Sequence, residues 1–150
     1  MLGKFTRWLR ILGYDVEYRQ NEIDNALISL AGEKGRILLT KDVELYRKTL
    51  KAGVDAFLLK SENEAENLAE MAKCYELELE FKPDTSRCPK CNMKLEIVPT
   101  EEVRKEAPSS ILESQRQFWQ CTNPKCRKVY WRGSHWKKIK EKIEEAKRLL

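Results

Sequence analysis

Four cysteines in the C-terminal part of the chain stand in two close pairs, Cys88 with Cys91 and Cys121 with Cys126. Two cysteines separated by two or four residues sit on one tight turn and present both sulfurs to one ion. Two such turns supply the four ligands that zinc takes in closed tetrahedral sites. Because four sulfurs leave no open coordination position, we expect a structural zinc that stabilises a module too small to fold unaided.

The fifth cysteine and the apolar runs indicate the compartment. Cys74 falls in a predicted helix and is expected to pack in the core. The longest apolar runs are three or four residues, as at 37–39 and 56–59, whereas a membrane span needs about 20. With no membrane span or secretion signal, and with cysteines spaced for metal, the chain is expected in the cytoplasm and away from membranes.

A second candidate chemistry lies with acidic side chains that follow predicted strands. Asp42 ends the stretch GRILLTKD at 35–42, whose short branched apolar run predicts a buried strand. Parallel α/β sheets bind ligands outside the carboxyl ends of their strands, and Asp42 lies on that edge. Glu22 and Asp24 are expected on the same edge, past a strand that ends near Tyr18. Aspartate is also a favoured helix N-cap, and from position alone capping is the favoured role of Asp42.

These carboxylates would be positioned by alternating helices and strands in the first half of the chain. Helical spacing of apolar residues and short branched runs predict the order helix, strand, helix, strand, helix, strand, helix. Such alternation with short connections predicts an α/β fold, a parallel sheet with helices on both faces. The predicted helices span 4–12, 21–33, 43–52 and 64–75, and the predicted strands span 16–18, 37–39 and 54–59.

The charge of the chain is divided unevenly. Residues 1–87 hold 14 Lys and Arg against 16 Asp and Glu, a net −2, and residues 88–150 hold 15 against 8, a net +7. Four thiolates around one divalent zinc would still leave a surplus of positive charge, which suits a polyanion such as nucleic acid. We expect an α/β domain at 1–82 and, at 83–150, a zinc ribbon followed by a lysine-rich helix.

Two interpretations remain open for the aromatic and basic residues near the end of the ribbon. His135 precedes Trp136, and it either packs beside the zinc module or contacts RNA, with tryptophan as a stacking surface and Arg132 as a phosphate partner. The tryptophans could equally form the minimal core of the ribbon. Lys137 and Lys138 are likewise either a solvated helix face or RNA contacts.

Several stretches together resemble the Mut-seven C-terminal ribonuclease family, in which a PIN-like nuclease domain carries a C-terminal zinc ribbon. The matching stretches are MLGKFTRWLRILGYDV at 1–16, GRILLTKD at 35–42, SRCPKCN at 86–92, EEVRKEAP at 101–108 and VYWRGSHW at 129–136. The resemblance covers nearly the whole chain. It implies a PIN-like three-layer fold and a ribonuclease that uses clustered acids with Mg²⁺ or Mn²⁺ to hydrolyse RNA phosphodiester bonds.

The same resemblance implies roles for individual residues. Asp42 and Asp24 would be ligands of Mg²⁺ or Mn²⁺. By their charge and position, Lys41 and Arg7 are either contacts to RNA phosphates or simply solvated side chains. The family pattern includes one further strand ahead of the part that matches residues 1–3, ending in an aspartate that would be the third metal ligand. We expect that strand upstream of residue 1, and the alternative is a degenerate family member that lacks it. A non-catalytic RNA-binding or ribosome-associated adaptor is the alternative. A toxin-like nuclease is a third possibility, suggested by fold kinship alone.

Overall fold

The computed structural model describes residues 2–150, which form helices and short strands in the predicted order, except that the strand expected at 16–18 is absent and two short helices at 100–114 were not predicted. The helices are α1 (Leu2–Ile11), α2 (Asp24–Lys34), α3 (Val43–Lys51), α4 (Glu64–Tyr75), α5 (Ser109–Ser114) and α6 (Ser134–Arg148), with a 3₁₀ helix at Thr100–Val103. The strands are β1 (Leu38–Thr40), β2 (Ala56–Leu58), β3 (Leu95–Val98), β4 (Phe118–Cys121) and β5 (Val129–Trp131). The protein is therefore a mixed α/β fold with two small sheets.

Strands β1 and β2 form a parallel pair with helices on both faces. Leu38 lies opposite Ala56, and Leu39 lies opposite Phe57. Successive side chains of a strand point to opposite faces. Leu38 and Ala56 accordingly enter an apolar cluster with α2 and α3, while Leu39 and Phe57 enter a second cluster with α1 and α4. Helices therefore pack on both faces of this two-stranded sheet, and the PIN-like three-layer sheet that the resemblance implies stays a prediction.

The strand predicted at 16–18 was wrong, and the expected three-stranded sheet has two strands within residues 2–150. Side chains satisfy the backbone of this segment in place of a neighbouring strand. The Val16 N–H donates to Asn92 Oδ1 at 2.9 Å. Arg10 donates to the Val16 carbonyl from Nε at 2.9 Å and from Nη2 at 2.7 Å. Because these bonds satisfy both backbone groups, residue 16 has no need of a strand partner.

Local backbone conformation marks the start of α2, and a side-chain cap marks the start of α4. Helix α2 begins at Asp24, three residues later than predicted, and Asn21 ahead of it is left-handed with φ 61°. Helix α4 spans the predicted 64–75, and Asn63 caps it by accepting the Ala65 N–H at 2.9 Å. Leu68 and Met71 on its inward face are buried. Helix ends are set by such local bonds more than by apolar periodicity.

The C-terminal part forms a three-stranded antiparallel sheet in the order β3, β4, β5. Its small core gathers around Phe118 and Val103, both fully buried. Helix α6 then returns to pack against α4. Through this contact Ile143 and Ala146 join the apolar cluster that holds Phe5. The terminal helix therefore contributes to the core beside the parallel sheet.

Candidate functional sites

The four paired cysteines converge on one point. Their Sγ atoms all lie within 4.8 Å of one another, with 3.2 Å between Cys91 and Cys121 and 3.9 Å between Cys88 and Cys126. Sulfurs about 2.3 Å from a tetrahedral zinc are separated by about 3.8 Å. The donor set therefore fits a closed zinc site, and the four cysteines could hold a metal ion such as zinc, as their spacing predicts.

One tight turn brings the two cysteines of each pair together. In the first, the Asn92 N–H donates to the Cys88 carbonyl and the Cys88 N–H donates to the Met93 carbonyl, both at 2.8 Å. The residue after the second cysteine of each pair is left-handed, with φ 76° at Asn92 and φ 52° at Arg127. Asparagine tolerates this conformation better than most residues do. The same backbone turn is therefore used on both sides of the four-cysteine cluster.

Burial and hydrogen bonding shift the pKa values of the cysteine thiols in opposite directions. Burial raises the pKa of Cys88 and that of Cys121. At Cys91 burial also acts to raise the pKa, but hydrogen bonds, first from the Met93 backbone, outweigh it and lower the pKa to about 7. The Tyr130 hydroxyl lies 3.1 Å from Cys88 Sγ, where it can donate to a thiolate. Since zinc binds thiolates, metal uptake at neutral pH must release protons from the buried thiols.

Asp42 follows β1 and caps α3. Its Oδ1 accepts the N–H of Glu44 at 2.9 Å and that of Leu45 at 3.3 Å, so the predicted cap is confirmed. The Asp42 N–H in turn donates to the buried Thr40 Oγ1 at 3.0 Å. The Asp42 side chain is exposed, and its Oδ2 accepts no hydrogen bond from residues 2–150. One oxygen of this carboxylate is therefore open to a further partner.

Asp24 is the first residue of α2 and forms an ion pair with Lys48, whose Nζ lies 3.8 Å from Asp24 Oδ2. Helix α2 ends at Lys34, with Gly35 as its C-cap just ahead of β1, so its first turn lies toward the edge where β1 ends. Among residues 2–150, no three carboxylates lie close enough to share one metal ion. The assignment of Asp42 and Asp24 as cation ligands stays a prediction.

The other basic residues expected to contact phosphate lie on the surface of the α/β part. Lys41 is partly exposed, and its Nζ lies 3.7 Å from Glu62 Oε2. Arg7 is an exposed residue of α1. Both positions are accessible to a polyanion, and their roles stay predictions.

Trp136 packs in the core. Its ring lies 5.2 Å from the Trp119 ring and 5.1 Å from the Phe81 ring, and 9% of the residue is exposed. The Arg132 guanidinium covers it at 5.7 Å from the ring centre. Between packing and stacking on RNA bases, the structure supports packing for this ring. His135, Lys137 and Lys138, in contrast, are exposed, as a contact with RNA would require.

Comparison with protein-family models gives a match that covers nearly the whole chain. The family model described as the Mut7-C RNAse domain matches residues 1–143 of the 150-residue chain. The chain belongs to the Mut7-C RNAse domain family. The resemblance drawn from the sequence is therefore confirmed. Comparisons with curated proteins and with solved structures give no match.

Membership of the Mut7-C RNAse domain family indicates a ribonuclease-type function and RNA as the substrate. The four-cysteine cluster lies within the matched range, at 88–126. No helix in residues 2–150 combines the length and the apolar composition that crossing a bilayer requires.

Sequence reasoning missed two buried charged residues of this Mut7-C chain and misplaced one cysteine. Arg10 on α1 is 7% exposed, and Glu64 at the start of α4 is 4% exposed. Within residues 2–150, Glu64 Oε2 has no hydrogen-bond partner. Charged residues in amphipathic helices usually face solvent, so the sequence carried no signal for their burial. Cys74, expected in the core, is exposed.

Proposed function

We propose that this chain is a metal-dependent ribonuclease that hydrolyses RNA phosphodiester bonds at the carboxyl edge of β1. The observation that carries the proposal is Asp42, which follows β1 in a Mut7-C RNAse chain and keeps Oδ2 free of hydrogen bonds from residues 2–150. Asp42 and Asp24 are the proposed ligands. We assign catalysis to residues 1–82, with a PIN-like arrangement, and RNA binding mainly to residues 83–150.

The donor chemistry of this edge fits a hard cation. Mg²⁺ is commonly held by one or two carboxylates together with water and substrate phosphates, so two acids are sufficient protein ligands. When bound, Mg²⁺ or Mn²⁺ would activate a water and offset charge that develops on the scissile phosphate. Asp42 would offer Oδ2 while Oδ1 continues to cap α3. Asp24 would exchange its ion pair with Lys48 for the cation.

The ribbon and α6 are proposed to hold RNA by charge. Exposed cations near the start of α6 would contact the phosphate backbone, namely Arg132, Lys137 and Lys138, with His135 beside them. Because the Trp136 ring is buried, it would support this surface from below and would not stack on bases. Backbone contacts carry little sequence information, so weak sequence preference is expected. The set of free thiols suits the reducing cytoplasm.

A non-catalytic RNA-binding adaptor is the second candidate function. The observation that favours it is the lack of a three-carboxylate cluster in residues 2–150. In this case the ribbon and α6 would be the functional surface, and the α/β part would be a scaffold.

Cleavage and binding assays on the full chain separate the two candidates. A single-stranded RNA labelled at its 5′ end is incubated with Mn²⁺ and the wild-type protein, with Asp42→Asn, or with Asp55→Asn as a control at an exposed acid that precedes β2. The proposal expects cleavage by the wild type and the control, its loss in Asp42→Asn, and similar RNA affinity in all three. Cleavage that survives in Asp42→Asn would contradict the site. Binding without cleavage in every preparation would establish the adaptor.

A further inference from the structure

Arg10 is a buried cation that contacts two separate parts of the chain. Its Nε and Nη2 donate to the Val16 carbonyl at 2.9 and 2.7 Å, and its Nη1 donates to the carbonyls of Pro89 at 2.9 Å and Lys90 at 3.4 Å. Pro89 and Lys90 form the turn between the first two cysteines. The Arg10 side chain therefore joins segment 14–18 to the turn between Cys88 and Cys91.

No carboxylate neutralises Arg10 within ion-pair distance in residues 2–150; its polar partners are the backbone carbonyls of Val16, Pro89 and Lys90. Burying a charge without a counter-charge is costly. The turn that Arg10 contacts carries Cys88 and Cys91, and four thiolates around one divalent zinc leave a net charge of about −2. The negative charges that face this guanidinium are those of Cys91 and Cys88 and, beyond ion-pair distance, that of Asp15.

Asn92 makes a second connection between the same two parts. It follows Cys91, and its Oδ1 accepts the Val16 N–H at 2.9 Å while its Nδ2 donates to Asp15 Oδ1 at 2.6 Å. Asp15 Oδ2 in turn accepts Arg36 Nη2 at 3.0 Å, just ahead of β1. The contacts run without a break from the first cysteine turn to the parallel sheet.

From these contacts we propose that Arg10 is a positioning residue for the zinc centre, which it stabilises by charge and by holding the carbonyls of the Cys88–Cys91 turn. Asn92 and Arg10 together tie the order of residues 14–18 to metal binding. The proposal concerns metal affinity and local order, so it stands or falls independently of the proposed ribonuclease activity.

Chelator competition on the full chain tests the charge role. Arg10→Gln should weaken zinc affinity by about 10-fold or more, as residues that support metal ligands typically do. Arg10→Lys keeps the charge but loses the fork that reaches both parts, so its affinity should fall between Arg10→Gln and the wild type. Lys4→Gln removes one positive charge from an exposed position of α1 and should bind zinc like the wild type. Unchanged affinity in folded Arg10→Gln, checked by circular dichroism, would overturn the proposal.

Hydrogen exchange tests the coupling to segment 14–18. Zinc removal from the wild type should speed exchange of the Val16 amide, while the buried amides of α4 change less. If Arg10→Gln does not fold, Asn92→Gly still allows the test, since glycine keeps the positive φ of residue 92 and removes both side-chain bonds. Exchange at Val16 should then be fast with or without zinc. If zinc removal does not change the exchange rate of the Val16 amide in the wild type, the coupling is refuted.

Discussion

Asp42 Oδ1 lies 2.9 Å from the Glu44 backbone nitrogen and accepts its N–H, while Asp42 Oδ2 accepts no bond from residues 2–150. A helix cap needs one acceptor oxygen, and a monodentate cation ligand also needs one. The two roles that the sequence left in competition are therefore compatible in one side chain. They can be separated by substitutions that retain the cap and remove the charge.

Substitutions at Asp42 should separate stability from cleavage. Asp42→Asn and Asp42→Ser retain an acceptor for the Glu44 N–H and should change the free energy of unfolding little, whereas Asp42→Ala loses the cap and should cost about 1 kcal/mol. Urea denaturation measures these values. All three variants should fail to cleave RNA, because none has a carboxylate. Equal stability of the serine and alanine variants would show that the cap contributes nothing.

Removal of one thiol should destabilise the ribbon. The wild type should contain one zinc per chain by elemental analysis. Cys91→Ser should lower the unfolding free energy by at least about 3 kcal/mol, because metal binding contributes to folding. In a chain of this size that loss lowers Tm by about 6–12 °C. Cys74→Ser, an exposed cysteine outside the cluster, is the control and should change neither value.

The exposed face of α6 should set the salt dependence of RNA binding. Lys137 and Lys140 line a surface groove with Arg132, and neither lysine has an ion-pair partner in residues 2–150. If each lysine contacts one phosphate, replacing both with Gln should reduce the slope of log affinity against log salt by about 1.4 for single-stranded RNA. Fluorescence anisotropy across a salt series measures the slope.

A control for that experiment uses Lys51 and Lys73, two exposed lysines near the ends of α3 and α4. Replacing these two with Gln removes the same charge from the α/β part and should leave the slope unchanged. Equal reductions in both double variants would show that only net charge matters and that α6 is not the binding surface.

Asp15 should make the fold sensitive to acid. Hydrogen bonds from Arg36 and then from Asn92 hold the pKa of Asp15 below its usual range. A folded-state pKa below the unfolded one stabilises the fold above about pH 4, and this stability is lost as pH falls through the folded pKa. The difference in unfolding free energy between the wild type and Asp15→Asn should therefore shrink on acidification. A difference that is constant with pH would contradict the ion pair's contribution.

Substitutions at two glycines test how closely the backbone at Thr85 approaches Gly13, just after the end of α1. Gly13 has φ +98°, and a Cβ there would lie 2.9 Å from the Thr85 carbonyl oxygen. Gly53 has φ +77° with nothing within 4 Å of a Cβ. Gly53→Ala should cost about 1 kcal/mol for the backbone conformation alone. Gly13→Ala should cost more by thermal or urea denaturation, and equal costs would show that the backbones separate freely.

The sequence determined the features that depend on residues close together in the chain. The spacing within each cysteine pair is enough to form a turn, so the four cysteines that could hold a metal ion were identified from the sequence. The bounds of α4 and the N-cap of α3 followed from neighbours within four residues. These elements are set by short-range sterics and hydrogen bonds, which do not need the rest of the fold.

Features that depend on contacts between residues far apart in the chain were decided only by the tertiary structure. Residues 16–18 alternate like a strand, yet the backbone of Val16 is satisfied by Asn92, 76 positions away. Arg10 reads as an exposed helix residue, yet it is buried against Pro89, 79 positions away. Packing of Trp136 on Phe81 likewise removed a ring that the sequence left free for RNA. A pattern of residue types limits the structures that a segment can form. The tertiary partners select one of them, because each backbone polar group and each apolar side chain finds its hydrogen bond or its burial only in the complete fold.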